Sequence, residues 1–193
     1  MTRLMPVPAL AVALALALAF VGVGPARAAG WVVDPARSHI QFAGEHMGKA
    51  FTGRFGAWTA AIDFDPAKPE ASVINVVIDL ASARTGDATY DKTLPTDDWF
   101  DTARTPKATF RATKVRATGP GTYVANGTLA MRGVAVPVTL PFQLAIKGDV
   151  ATMSGQVTLK RIDWGIGKGS DAGGDWVSLA IPVRISVVAR RKG

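Results

Sequence analysis

His39 and His46 stand seven residues apart, with Glu45 beside the second, and are the obvious candidates for metal ligation or acid–base chemistry. An odd spacing along an extended chain sends the two imidazoles to opposite faces, so a structural or pocket-lining role is favoured over a shared metal. Asp97, Asp98 and Asp101 form a second group. Carboxylates clustered in a connection cap turns and hold water unless a partner group meets them. Gly167-Lys168-Gly169-Ser170-Asp171-Ala172 fits a loose G-x-G-x-x-A loop, but no helix signal follows it, as a dinucleotide site requires. P-loop, HExxH, GxSxG and EF-hand patterns are absent. With no cysteine, the chain also has no thiol nucleophile, thiolate zinc site or disulfide framework. These signals point away from an enzyme, and they imply no metal and no cofactor.

The remaining signal is apolar and aromatic. Trp58, Trp99, Phe100, Phe110, Phe142, Trp164 and Trp176 are spread along the chain and are read first as core. Val136, Val138, Leu140, Phe142, Leu144 and Ile146 occupy every second position, as do Val177 to Val187 and Ile74 to Leu80. A period of two predicts strands with one buried face. Weaker alternation covers residues 38–42, 51–64, 108–115, 122–131 and 151–163. In the second of these the phase slips beside Gly56, which predicts a bulge or sharp bend. Turn signals fall at 65–69, 119–121, 133 and 148–149.

The fold class expected is all-β: about eight strands closing into an antiparallel barrel, with a long connection over 84–104 that carries short helical turns across one end. Glycine and proline, 20 and 12 among 193 residues, disfavour a helical bundle. An eight-stranded barrel has room for side chains or one ligand.

Residues 1–28 read as a cleavable signal peptide: a basic start, an uncharged run from Val7 to Gly24, and Ala26-Arg27-Ala28 before the cut. The expected mature domain is 29–193, exported to the periplasm. The formal charge of +7 is modest and dispersed, apart from Arg190-Arg191-Lys192, so a nucleic-acid partner is not expected. Contact with an anionic membrane surface and a homodimer through apolar rims are left open.

A set of short motifs in fixed order carries more information than any one of them. It comprises Trp31-x-x-Asp34-Pro35, Ser38-His39-Ile40-x-Phe42, His46, Gly53-Arg54-Phe55, Thr85-Gly86, Asp91 and Leu94. It continues through Asp98-Trp99-Phe100-Asp101, Pro106-x-Ala108-Thr109-Phe110, Gly127-x-Leu129-x-Met131-Arg132-Gly133, Pro137-Val138-x-Leu140 and Arg161-x-Asp163-Trp164-Gly165. Across nearly the whole mature chain this resembles the YceI-like family of bacterial periplasmic proteins. Arg37 stands where relatives often carry His, and Trp99 replaces the first of a frequent Phe-Phe pair.

The resemblance implies a lipocalin-like barrel that binds a polyisoprenoid, such as a quinone tail or a prenyl phosphate, without catalysis. Some relatives are associated with b561-type membrane cytochromes, and others look suited to fatty acyl ligands. The expected apolar pocket is Phe42, Ile78, Phe100, Phe110, Leu129, Met131, Leu140, Phe142, Trp164 and Ile181, with His46, Arg54, Asp91 and Arg161 at a polar mouth. Core-facing and ligand-facing positions share one sequence pattern, so plain core packing stands beside the pocket reading. Burying a tail of several prenyl units is worth roughly 10 kcal/mol gross at about 25 cal/mol per Å², less the cost of ordering it. Two other readings stay open: an enzyme using His46 and a carboxylate on such a lipid, and a solid barrel that docks a membrane partner.

Overall fold

A computed structural model describes residues 30–193; the expected signal peptide lies outside the described residues. The strand segments are β1 (Gly30–Val33), β2 (His39–His46), β3 (Lys49–Phe55), β4 (Trp58–Asp63), β5 (Val73–Asp79), β6 (Ala83–Arg84), β7 (Lys107–Gly119), β8 (Thr122–Met131), β9 (Val134–Lys147), β10 (Val150–Lys160) and β11 (Ala180–Arg191). One short helix, α1 (Ala88–Thr93), lies in the long connection. The neighbour order β1-β4-β5-β7-β8-β9-β10-β11 returns to β1, closing an antiparallel barrel of eight strands.

The extra segments are continuations bent at specific residues. β11 pairs through Val183–Ser186 with β2 and through Ala189–Arg191 with β1. Thus β1 and β2 form one row along β11, broken by the turn at Pro35–Arg37 that the Asp34 carboxylate caps. β3 and β4 form the next row. Their break is the Gly56 bend expected from the phase slip. There the Gly56 N–H donates to the Ser82 carbonyl and the Ala57 N–H to the Ser82 hydroxyl. Ser82 sits in the turn between β5 and β6, so the two rows kink together and the amides at the bend stay paired.

Three expectations need correction. Leu80 keeps the alternating phase of β5 but begins a 3-10 turn, because the Asp79 carboxylate accepts from the Ala81 N–H and turns the chain. Val177 and Leu179 precede β11 rather than belonging to it. The N–H and C=O of Val177 are taken by Asp171 and Arg161, which leaves only an isolated bridge to His46. Trp176, read as core, is 60% exposed. The four-residue β1 and two-residue β6 are too short to show a period.

Tight hairpins set the register of the long strands. Arg132 and Gly133 both have positive φ between β8 and β9, as do Met47 and Gly48 between β2 and β3. That is the geometry of two-residue turns whose twist matches the strands they join.

Candidate ligand cavity

Inward side chains of the barrel gather into two buried clusters. At the end where α1 and the 161–178 segment lie, the cluster holds Phe42, Leu80, Phe100, Leu129, Met131 and Trp164 among others. At the opposite end Trp31, Phe64, Tyr123 and Phe142 form an aromatic plug. The Phe64 ring meets Tyr123 edge-on at 5.3 Å, and Tyr123 stacks on Phe142 at 5.4 Å. The Trp31 indole N–H donates to the Phe64 carbonyl at 3.0 Å. Sequence reading missed Phe64 and Tyr123 as plug residues.

Between the clusters runs a cavity of about 260 Å³, walled by aliphatic and aromatic side chains from every row of the barrel. The structure places all ten of the expected apolar residues on it: Phe42, Ile78, Phe100, Phe110, Leu129, Met131, Leu140, Phe142, Trp164 and Ile181. Two glycines make room for rings on its wall. A Cβ on Gly53 would fall inside the Phe42 ring that lies across it, and one on Gly127 would meet the Phe110 ring and the Arg111 carbonyl.

The four expected mouth residues do not come together. Arg54 alternates with the inward Gly53 and Phe55, pairs with Gln41 and Arg84, and faces out of the barrel. Asp91 accepts from the Thr85 N–H at 2.6 Å and the Thr85 hydroxyl at 2.8 Å. Those two donors hold its carboxyl below the ordinary range. His46 Nδ1 lies 2.9 Å from the Tyr90 hydroxyl, tying β2 to α1. His39, at the other end of β2, is exposed. Among the described residues no group of three His, Cys, Asp or Glu side chains is placed to hold a metal.

Among the described residues Arg161 is the one charged residue on the cavity wall, and each of its three nitrogens already donates to the protein. Nε donates to Ser178 O, Nη1 to Ile166 O, and Nη2 to Asp171 and Val177 O. The guanidinium carbon also stands 5.5 Å from the Trp99 ring centroid. Burial pulls the guanidinium below its ordinary pKa, against the opposing pull of Asp171 and Asp98. Arg161 therefore clasps the 161–178 segment over the barrel end.

The three clustered aspartates diverge in the same way. Asp97 accepts from the neighbouring Asp98 N–H, and Asp101 pairs with Arg104. Asp98 accepts from Gly169 N–H at 2.7 Å, Ser170 N–H at 3.0 Å and the Ser170 hydroxyl. The glycine-rich loop thus cradles an anion after all, but the anion is the protein's own carboxylate. Arg132 completes this end. From the β8–β9 hairpin it donates to the carbonyls of Asp97, Trp99 and Trp164.

Comparison with known proteins agrees with this architecture. Over 152 residues the chain is 37% identical to a UPF0312 protein of Pseudomonas savastanoi pv. phaseolicola, covering 74% of this chain and 79% of that one. The crystal structure of Burkholderia cenocepacia BcnA superposes with a TM-score of 0.78 at 30% identity, over 81% of this chain and 99% of that one. A polyisoprenoid-binding domain from Saccharophagus degradans shares the fold, with a TM-score of 0.64 at 18% identity, over 86% of this chain and 99% of that one. The YceI-like domain matches residues 31–189, nearly the whole barrel from Trp31 in its plug to Ala189 on β11, and the chain belongs to the YceI-like family.

Proposed function

We propose that the protein is a non-catalytic periplasmic carrier that holds an isoprenoid lipid, a quinone tail or a prenyl phosphate tail, in the barrel cavity. The observation that carries this reading is a cavity walled by apolar side chains from all sides, whose one charged neighbour among the described residues, Arg161, is engaged by the protein's own carbonyls and by Asp171. Such a space suits a flexible hydrocarbon and offers little to a polar substrate. Family membership and the shared fold of a polyisoprenoid-binding domain support the same ligand class. His46 has Tyr90 rather than a carboxylate as its hydrogen-bonding partner, which favours carriage over acid–base turnover.

Native mass spectrometry of the protein purified from a bacterial periplasm, followed by organic extraction, tests the proposal. A stoichiometric isoprenoid quinone or prenyl phosphate is the expected result. A protein that carries nothing and also refuses added quinones and fatty acids would overturn it.

A further inference from the structure

The barrel wall is not hydrogen-bonded all the way round. β10 pairs with β11 along its full length, from Val150 opposite Arg190 to Lys160 opposite Ala180. β9 pairs with β8 as far as Met131 opposite Val134. Between β9 and β10, however, the ladder runs only from Lys147 opposite Val150 to Phe142 opposite Gly155. Beyond that point residues 134–141 and 156–160 are still strand, but their facing edges do not pair.

The reason is legible in β9. The Leu144 N–H donates to Gly121 O on the β8 side. By alternation, even-numbered residues of β9 turn their main-chain groups to β8 and odd-numbered ones to β10. Pro137 and Pro141 both fall on the β10 edge, where neither has an N–H to give. If the register continued, Pro141 would face Gln156, Thr139 would face Thr158 and Pro137 would face Lys160. Only Thr139 brings a donor from β9.

Inside this stretch Val138 and Leu140 of β9, with Val157 and Leu159 of β10, line the cavity. Outside it Thr139, Gln156, Thr158 and Lys160 are exposed. At the end of the barrel Trp164 crosses to the neighbouring strands, its indole N–H on Leu129 O and its carbonyl on Arg132. The slot is therefore bounded by the Phe142–Gly155 pair and the Trp164 strap, and between them side chains alone close it.

We propose that this slot is the lateral portal of the cavity. The tail of an amphiphile threads between Leu140 and Val157, and its polar head stays at the outer rim beside Thr139, Gln156, Thr158 and Lys160. Passage there breaks no ladder hydrogen bond, whereas entry through either barrel end must displace an aromatic plug or the Arg161 clasp. The inference rests on the carrier reading above.

The test is the rate at which a quinone with a decyl tail quenches tryptophan fluorescence on stopped-flow mixing. The chain has no cysteine, so T139C/T158C can be joined by a short thiol cross-linker without background. A145C/T152C, joined in the paired part of the same two strands, is the control. The slot staple is expected to slow uptake at least tenfold and the control staple to leave it unchanged. P137T/P141T, which returns two donors to the edge, is expected to slow uptake several-fold without any cross-link. Wild-type uptake rates in both the stapled and the P137T/P141T proteins would overturn the portal while leaving the carrier reading intact. A wild-type protein that never quenches would overturn the carrier reading and the portal with it.

Discussion

Arg161 Nη2 lies 2.7 Å from Asp171 Oδ2, and each side chain is 3% exposed. The pair joins the turn that follows β10 to the loop that precedes β11, and the same carboxylate also accepts from the Val177 N–H at 2.8 Å. Removing one partner leaves the other buried and uncompensated, which costs about 3–5 kcal/mol. R161M and D171N are each expected to lower stability by about that much in urea titrations, with the double variant less destabilised than the two effects added. Additive losses would show that the two side chains do not act as a unit.

Acid should act on the same end of the barrel. Burial works to raise the Asp171 carboxyl, but the Val177 and Trp176 N–H donors and the guanidinium outweigh it and hold it below the ordinary range. Asp98 is also lowered: its burial opposes the shift, and the Ser170 hydroxyl and the Gly169 and Ser170 amides win. A carboxyl depressed on folding contributes stability above its unfolded pKa, about 3.9, and loses it as pH falls through the folded value. Unfolding free energy is expected to stay level for these groups down to about pH 4 and to drop below it. D171N and D98N should each flatten that acid limb; an unchanged slope would refute the assignment.

How much of this could be read from residue order depends on the range of the interaction. β9 and β11 announce themselves because every second residue is apolar over the long runs around Val136–Ile146 and Ile181–Val187. The Gly56 bend is visible as a lost phase, and eight of the ten cavity residues as inward parity, whereas Phe100 in the long connection and Trp164 in the turn after β10 lie outside any strand period. Arg54 could have been placed correctly by the same count, since Gly53 and Phe55 on either side face inward. Leu80 misleads because an Asx turn at Asp79 overrides a local period. Arg161 read as a free mouth residue because its partners are brought round by a loop, and no periodicity reports loop closure.

Gly53 and Gly127 test whether the glycines on the wall are there for ring placement. Phe42 pairs directly across from Gly53, and its ring occupies the space of the missing side chain. Neither glycine has a positive φ, so the objection to alanine is contact, not backbone strain. G53A is expected to cost about 1–3 kcal/mol and to push the Phe42 ring toward the cavity, weakening uptake of the decyl quinone. At Gly127 the contact includes the Arg111 backbone carbonyl, which cannot swing away, so G127A should be the more damaging in thermal melts.

The aromatic plug makes a prediction about ligand length. Phe64 closes the barrel end against Tyr123 and Phe142, and the Trp31 indole is held on the Phe64 carbonyl, a main-chain contact that truncation of the ring leaves in place. A chain that enters the cavity stops where these rings begin, so its accepted length is set by the distance from the entry point to Phe64. F64A removes the ring at a cost of about 3–5 kcal/mol and extends the apolar space toward that end. Binding titrations with prenols of increasing length should find the preferred chain longer by at least one isoprene unit in F64A than in the wild type. F100A, which removes a ring at the opposite end, serves as the comparison. If the preferred length does not move in F64A, the plug fills space without measuring the tail.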